Sequence, residues 1–132
     1  MLPAPGQGAL AVTVRSDDRE SARAARQAVH HEEAALEVTA ERAFLRRLEG
    51  GCQVPVAAYA RRSDPGTTMR IHGRVISLSG NAVAEGYESA SVVDEEAAAD
   101  LGTRLAERLL REGADRILSE VRMAAVPLVG EP

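Results

Sequence analysis

With 132 residues and a net charge of −4, the chain suits one domain with a modest core, or one small domain plus a segment borrowed from a neighbour, and argues against a second complete domain. Its acids and bases are interspersed, which argues against a general nucleic-acid or membrane-surface binder, although a local anion site is compatible with it. A single Cys excludes an internal disulfide framework, and no apolar run approaches the roughly 20 residues that span a bilayer. The start lacks the basic-then-apolar pattern of a secretory signal, so a reducing, cytoplasmic location is expected. The abrupt opening on Met1-Leu2-Pro3-Ala4-Pro5-Gly6 suggests a fragment. All sixteen basic residues are Arg; with one Phe, two Tyr and no Trp, the core must be built from small aliphatic side chains.

In chain order, a turn over Pro3 to Gly8 leads into Ala9-Leu10-Ala11-Val12-Thr13-Val14, an apolar, β-branched run that reads as a buried strand. A lone strand needs a sheet to join, and that sheet is expected in residues absent from this chain. Ser16-Asp17-Asp18 supplies N-cap chemistry for an Ala-rich helix ending near Val29. A second helix is predicted from about His31 to Leu48, with Leu36, Ala40, Phe44 and Leu48 on one face and Gly50-Gly51 as its stop.

Three strands then follow, Val54 to Arg61, Met69 to Ser77 and Ala82 to Ser89. The turn signals Ser63-Asp64-Pro65-Gly66 and Ser79-Gly80-Asn81 separate them, which implies an antiparallel meander. In the middle strand Met69, Ile71 and Val75 alternate with Arg70, His72 and Arg74, one buried and one wet face. Asp94-Glu95-Glu96 opens a third helix with Ala98, Leu101, Leu105 and Leu109 on one stripe and Gly113 at its end. A short helix with Ile117 and Val121 follows, and the tail from about Met123 reads as loose. The fold class is therefore α+β: a three-stranded antiparallel sheet covered by helices, preceded by a strand segment belonging to a missing domain.

Cys52 is the most informative position. A lone Cys is more often a small buried hydrophobe, but the loop Gly50-Gly51-Cys52-Gln53-Val54-Pro55 gives a thiol close access to a large ligand. A thiolate is a soft nucleophile for carbon electrophiles, and the thioether it forms persists. Gly6-Gln7-Gly8-Ala9 imitates part of a dinucleotide fingerprint, yet no strand precedes it, so a tight turn is the better reading. His30-His31-Glu32-Glu33 lacks metal-ligand spacing and reads as a solvated helix start; no metal is assigned. Arg15, Arg42, Arg46 and Arg47 could be ordinary solvated cations or could grip carboxylates.

Four blocks in order, Leu2 to Ala9, His30-His31-Glu32, Val38 to Ala43 and Leu48 to Pro55, closely resemble successive motifs of the porphobilinogen deaminase (hydroxymethylbilane synthase) family. The resemblance implies that residues 1–29 are a returning strand and connecting helix from the catalytic lobe, and that residues 30–132 form the C-terminal, cofactor-attachment domain. It implies a dipyrromethane cofactor held on Cys52 through a thioether. On that cofactor four porphobilinogen molecules are condensed head to tail, with loss of ammonia, into hydroxymethylbilane for haem biosynthesis. It places Gln7 and Gly8 near the active-site cleft and makes Arg15 and Arg42 carboxylate binders. The family's catalytic Asp would precede this chain, so no catalytic residue is assigned within it and the chain alone is expected to be inactive. The expected partners are porphobilinogen, the growing pyrrole chain and the missing N-terminal domains, with no nucleic acid and no membrane. The alternative is a non-catalytic ligand-binding or interaction domain descended from the same family. A thiol-dependent redox role is disfavoured because no second Cys is present to resolve it.

Overall fold

The computed structural model describes residues 1–48, 55–63 and 65–124. Two helices come first, α1 (Arg19–Val29) and α2 (Glu32–Arg47), then strands β1 (Val56–Arg62), β2 (Thr68–Ile76) and β3 (Val83–Ser91). Helices α3 (Glu95–Leu109) and α4 (Asp115–Ala124) end the fold, joined through the wide turn Leu110–Ala114, where Gly113 adopts φ 115°. The strands form one antiparallel sheet in the order β1-β2-β3, with Ala60 opposite Ile71 and Gly73 opposite Gly86. The α+β class and the meander are as the turn signals imply.

One face of the sheet carries the core. Ala58, Ala60, Met69, Ile71 and Val75 are buried there against Leu36, Ala40 and Phe44 of α2 and Leu101, Leu105 and Leu109 of α3. Each large apolar side chain taken out of water contributes about 1.5–3 kcal/mol, so these two helical stripes dominate the stability of the domain. The small residues of the strands set how closely the helices approach. Phe44 lies over Gly73, where an added Cβ would fall 2.5 Å from the ring. The opposite face stays wet: His72 stacks on Tyr87 with ring centroids 4.0 Å apart, Arg70 lies over the same Tyr87 ring, and Glu85 accepts from Arg74. His72 is half-buried in that cluster, with its Nε2 2.5 Å from Glu85.

Each helix start carries a side-chain acceptor. Asp18 accepts from the Ser21 N–H, His31 from that of Ala34 and Asp94 from that of Ala97. The His30-His31 pair thus belongs to a helix start, with His30 Nε2 2.9 Å from Glu32.

The run Ala9 to Val14, expected as a strand of a sheet outside this chain, pairs with none of β1, β2 and β3. These residues form no helix or strand, and Leu10, Val12 and Val14 are exposed. The apolar pattern is real, but a strand exists only through a partner's hydrogen bonds, and the outward N–H groups of β1 are already taken by other acceptors. Helix α1 likewise buries no residue. The Gly50-Gly51 helix stop, Val54 at the expected start of the first strand, Asp64 in the first turn and the tail from residue 125 lie outside the described residues. No described helix is long and apolar enough to cross a membrane.

Candidate functional site

Cys52 also lies outside the described residues, but the chain on either side of it is anchored. Upstream, Leu48 is 1% exposed, its N–H bonds to the Phe44 carbonyl, and its own carbonyl accepts from Arg122. Downstream, the Pro55 carbonyl accepts from Ile76 N–H, which locks the approach to β1 into the sheet. Both attachments belong to the main core.

The N-terminal turn packs against the outer edge of β1. Pro3 accepts from the Ala58 N–H at 3.1 Å, and the turn closes through Gln7 N–H to Ala4 and Ala9 N–H to Gly6. Gly6 and Gly8 take φ of 73° and 83°, a left-handed backbone that favours glycine. The tight-turn reading of Gly6-Gln7-Gly8 is therefore the geometry found. Gln7 and Gly8 are both exposed on it.

Glu41 of α2 was not among the candidate residues read from the sequence. It is only 6% exposed, and one carboxylate oxygen accepts from the Gly6 N–H at 2.6 Å while the other accepts from the Ala60 N–H at 2.8 Å. Burial pushes its pKa above the ordinary glutamate value, opposed by the two backbone N–H donors and aided by the charge of Glu37 one turn earlier. Glu37 accepts in turn from the Arg62 N–H. Pro3, Glu41 and Glu37 thus satisfy alternate N–H groups of an edge strand that would otherwise offer them to another chain. The cue was positional: Glu37 and Glu41 flank the Leu36–Ala40–Phe44 stripe and share one helix face.

A groove of about 760 Å³ opens between residues 8–14, α1 and α2. Leu10, Val12, Val29 and Val38 give it aliphatic walls, and Arg26 and Arg42 bring positive charge to it. Gly8 and Arg42 therefore meet at one groove. Arg42 is exposed and makes no hydrogen bond or ion pair among the described residues. Arg15 stands apart: it does not line the groove, and its guanidinium pairs with Asp17 at 3.1 Å in solvent. The arrangement suits a partly apolar ligand bearing carboxylates, which two guanidinium groups would pair.

The family described as Porphobilinogen deaminase, C-terminal domain, matches residues 35–111, more than half of the chain. The porphobilinogen deaminase of Moorella thermoacetica is 47% identical over 92% of this chain, and that of Pelotomaculum thermopropionicum 45% identical over the same share. That of Syntrophotalea carbinolica is 45% identical over 97% of it. The chain spans 37% to 39% of the length of these relatives. On the family match and these identities, the chain belongs to the porphobilinogen deaminase family and carries its C-terminal domain.

Proposed function

We propose that this chain is the cofactor-attachment part of a porphobilinogen deaminase and works with the N-terminal portion that its relatives possess. The observation that carries this reading is the family match over residues 35–111, a range that includes Cys52 and the Gly50-Gly51-Cys52 motif. The assembled enzyme would condense four porphobilinogen molecules, with loss of ammonia, into hydroxymethylbilane. The location that suits a reduced Cys52 is the cytoplasm.

Cys52 would hold dipyrromethane through a sulfur–carbon bond. When bound, that group would supply the terminal pyrrole to which the first substrate pyrrole is joined and from which the chain grows. The groove residues fit such a ligand: aliphatic walls suit the rings, and Arg42, which makes no hydrogen bond or ion pair among the described residues, would take a carboxylate. Arg15 would join it by exchanging Asp17 for a ligand carboxylate, a small loss because their ion pair is solvent-exposed. Gln7 and Gly8, exposed on the Pro3–Gly8 turn, would face the cleft. We assign no acid of this chain to proton transfer in deamination, and the isolated chain should not turn over.

The test is intact-mass and peptide-mass analysis of the chain co-expressed with an N-terminal portion from the family and exposed to porphobilinogen. Two linked pyrroles on Cys52, growing with substrate, are expected. An unmodified thiol in a properly assembled complex would favour a non-catalytic binding domain. Hydroxymethylbilane formation by the purified chain alone would refute the division of labour proposed here.

A further inference from the structure

We propose that Glu41 is a positioning residue whose carboxylate clasps the Pro3–Gly8 turn to β1, fixing Gln7 and Gly8 relative to the strand that follows Cys52. Two backbone donors separated by 54 positions in the chain, Gly6 and Ala60, converge on its two oxygens at 2.6 and 2.8 Å. The Ala60 N–H is directed to Glu41 and not into the ladder with β2, and Gly6, in the left-handed turn packed on the outer edge of β1, donates to the same carboxylate.

The chemistry demands a carboxylate. An ionised Glu accepts at both oxygens, whereas the amide of Gln accepts at one and would point N–H at N–H on the other side. Asp is shorter by a methylene and would not reach both donors from α2. The neighbouring bond from Ala58 N–H to Pro3 holds the start of the same segment, so the clasp and this bond together fix two points of the turn. The attachment also explains a buried acid on a helix whose other inward residues are apolar or small.

The consequence for substrate rests on the pyrrole-binding reading above, but the clasp itself is testable without it. In the 132-residue chain, the amide protons of Gly6 and Ala60 should shift together on an NMR pH titration, with one common inflection. In Glu41→Gln one of the two should exchange with solvent about tenfold faster, and in Glu41→Ala both should, while the β2 amides keep their protection. Equal exchange at Gly6 and Ala60 in wild type and Glu41→Gln, or separate inflections, would overturn the clasp. If Glu41→Ala does not fold, the wild-type titration and Glu41→Gln still decide.

With the N-terminal portion supplied, Glu41→Gln should raise KM for porphobilinogen about tenfold and change kcat less. An unchanged KM alongside a freed amide would overturn the positioning role. A wild-type chain that takes no pyrrole at all would refute the proposed function and leave the amide measurements to decide the clasp.

Discussion

The backbone carbonyl of Ala40 on α2 occupies the place where a side chain on Gly102 of α3 would begin. A Cβ there would overlap the Ala40 carbonyl oxygen and lie 2.9 Å from both the Ala40 carbonyl carbon and the Phe44 nitrogen. The two helices therefore touch backbone to backbone at their crossing, and Gly102 is what permits it. Both residues are buried, with Ala40 at 0% exposure.

Gly102→Ala should be among the most damaging single-methyl changes in the chain. The obstructing atoms are backbone, so no rotamer change relieves the overlap and the helices must separate along their whole contact. Overpacking of this kind costs about 3 kcal/mol, which would lower Tm by about 10 °C in a domain of this size. Gly73→Ala meets only the Phe44 ring and the Leu105 tip, which have some freedom to shift, and should cost less. Thermal unfolding followed by circular dichroism ranks the two; a smaller effect at Gly102 than at Gly73 would contradict the close crossing.

Asp94 tests a different scale of contribution. Its carboxylate accepts from the Ala97 N–H at 2.8 Å and caps α3, whose stripe forms half of the core. Asp94→Ala should destabilise by about 1 kcal/mol and Asp94→Asn by only a few tenths, because the amide oxygen also caps. Urea midpoints with unchanged slopes would show this ordering.

The apolar periodicities of α2, α3 and β2 were legible in the sequence because burial is their cause. Leu36, Ala40 and Phe44, then Leu101, Leu105 and Leu109, recur at helical spacing and are all buried. Gly102 was silent in the same stripe, since a residue that matters for having no side chain leaves no hydrophobic signal. Glu41 was missed for the opposite reason: its type says solvent, and only the donors at Gly6 and Ala60 explain its burial. The run Ala9 to Val14 has strand composition, yet composition does not supply a pairing partner. At the candidate site, the turn at Gly6-Gln7-Gly8 was readable from its glycines. The meeting of Gly8 with Arg42 was not, because it depends on how α2 lies against the turn.

Glu41 also leaves a signature in the pH dependence of stability. Burial raises its pKa in the folded chain above the ordinary value, so the folded state holds this proton more tightly than the unfolded state does. Its contribution to stability is therefore fully present below the unfolded-state pKa and is lost as pH rises through the higher folded-state value. The urea midpoint of wild type, relative to Glu41→Gln, should fall as pH rises from the ordinary glutamate range into the range just above it. A wild-type midpoint that rises against the variant over this interval would mean that the two N–H donors outweigh burial.

Arg42 separates binding from folding. It is exposed and makes no hydrogen bond or ion pair among the described residues, so Arg42→Ala should change stability by no more than about 0.5 kcal/mol. Arg42 lines the same groove as Gly8, and under the proposed function it would act there by pairing a carboxylate. Loss of a charge-assisted pair costs about 1.5–3 kcal/mol, so Arg42→Ala should raise KM for porphobilinogen in the assembled enzyme by roughly tenfold to a hundredfold. Arg42→Lys should recover part of that loss, because an ammonium keeps the charge without the bidentate fork. Arg15→Ala should weaken binding less, since its guanidinium must first leave Asp17. Equal KM values for wild type and Arg42→Ala would remove the groove between α1 and α2 from the binding path and leave its charge without a ligand.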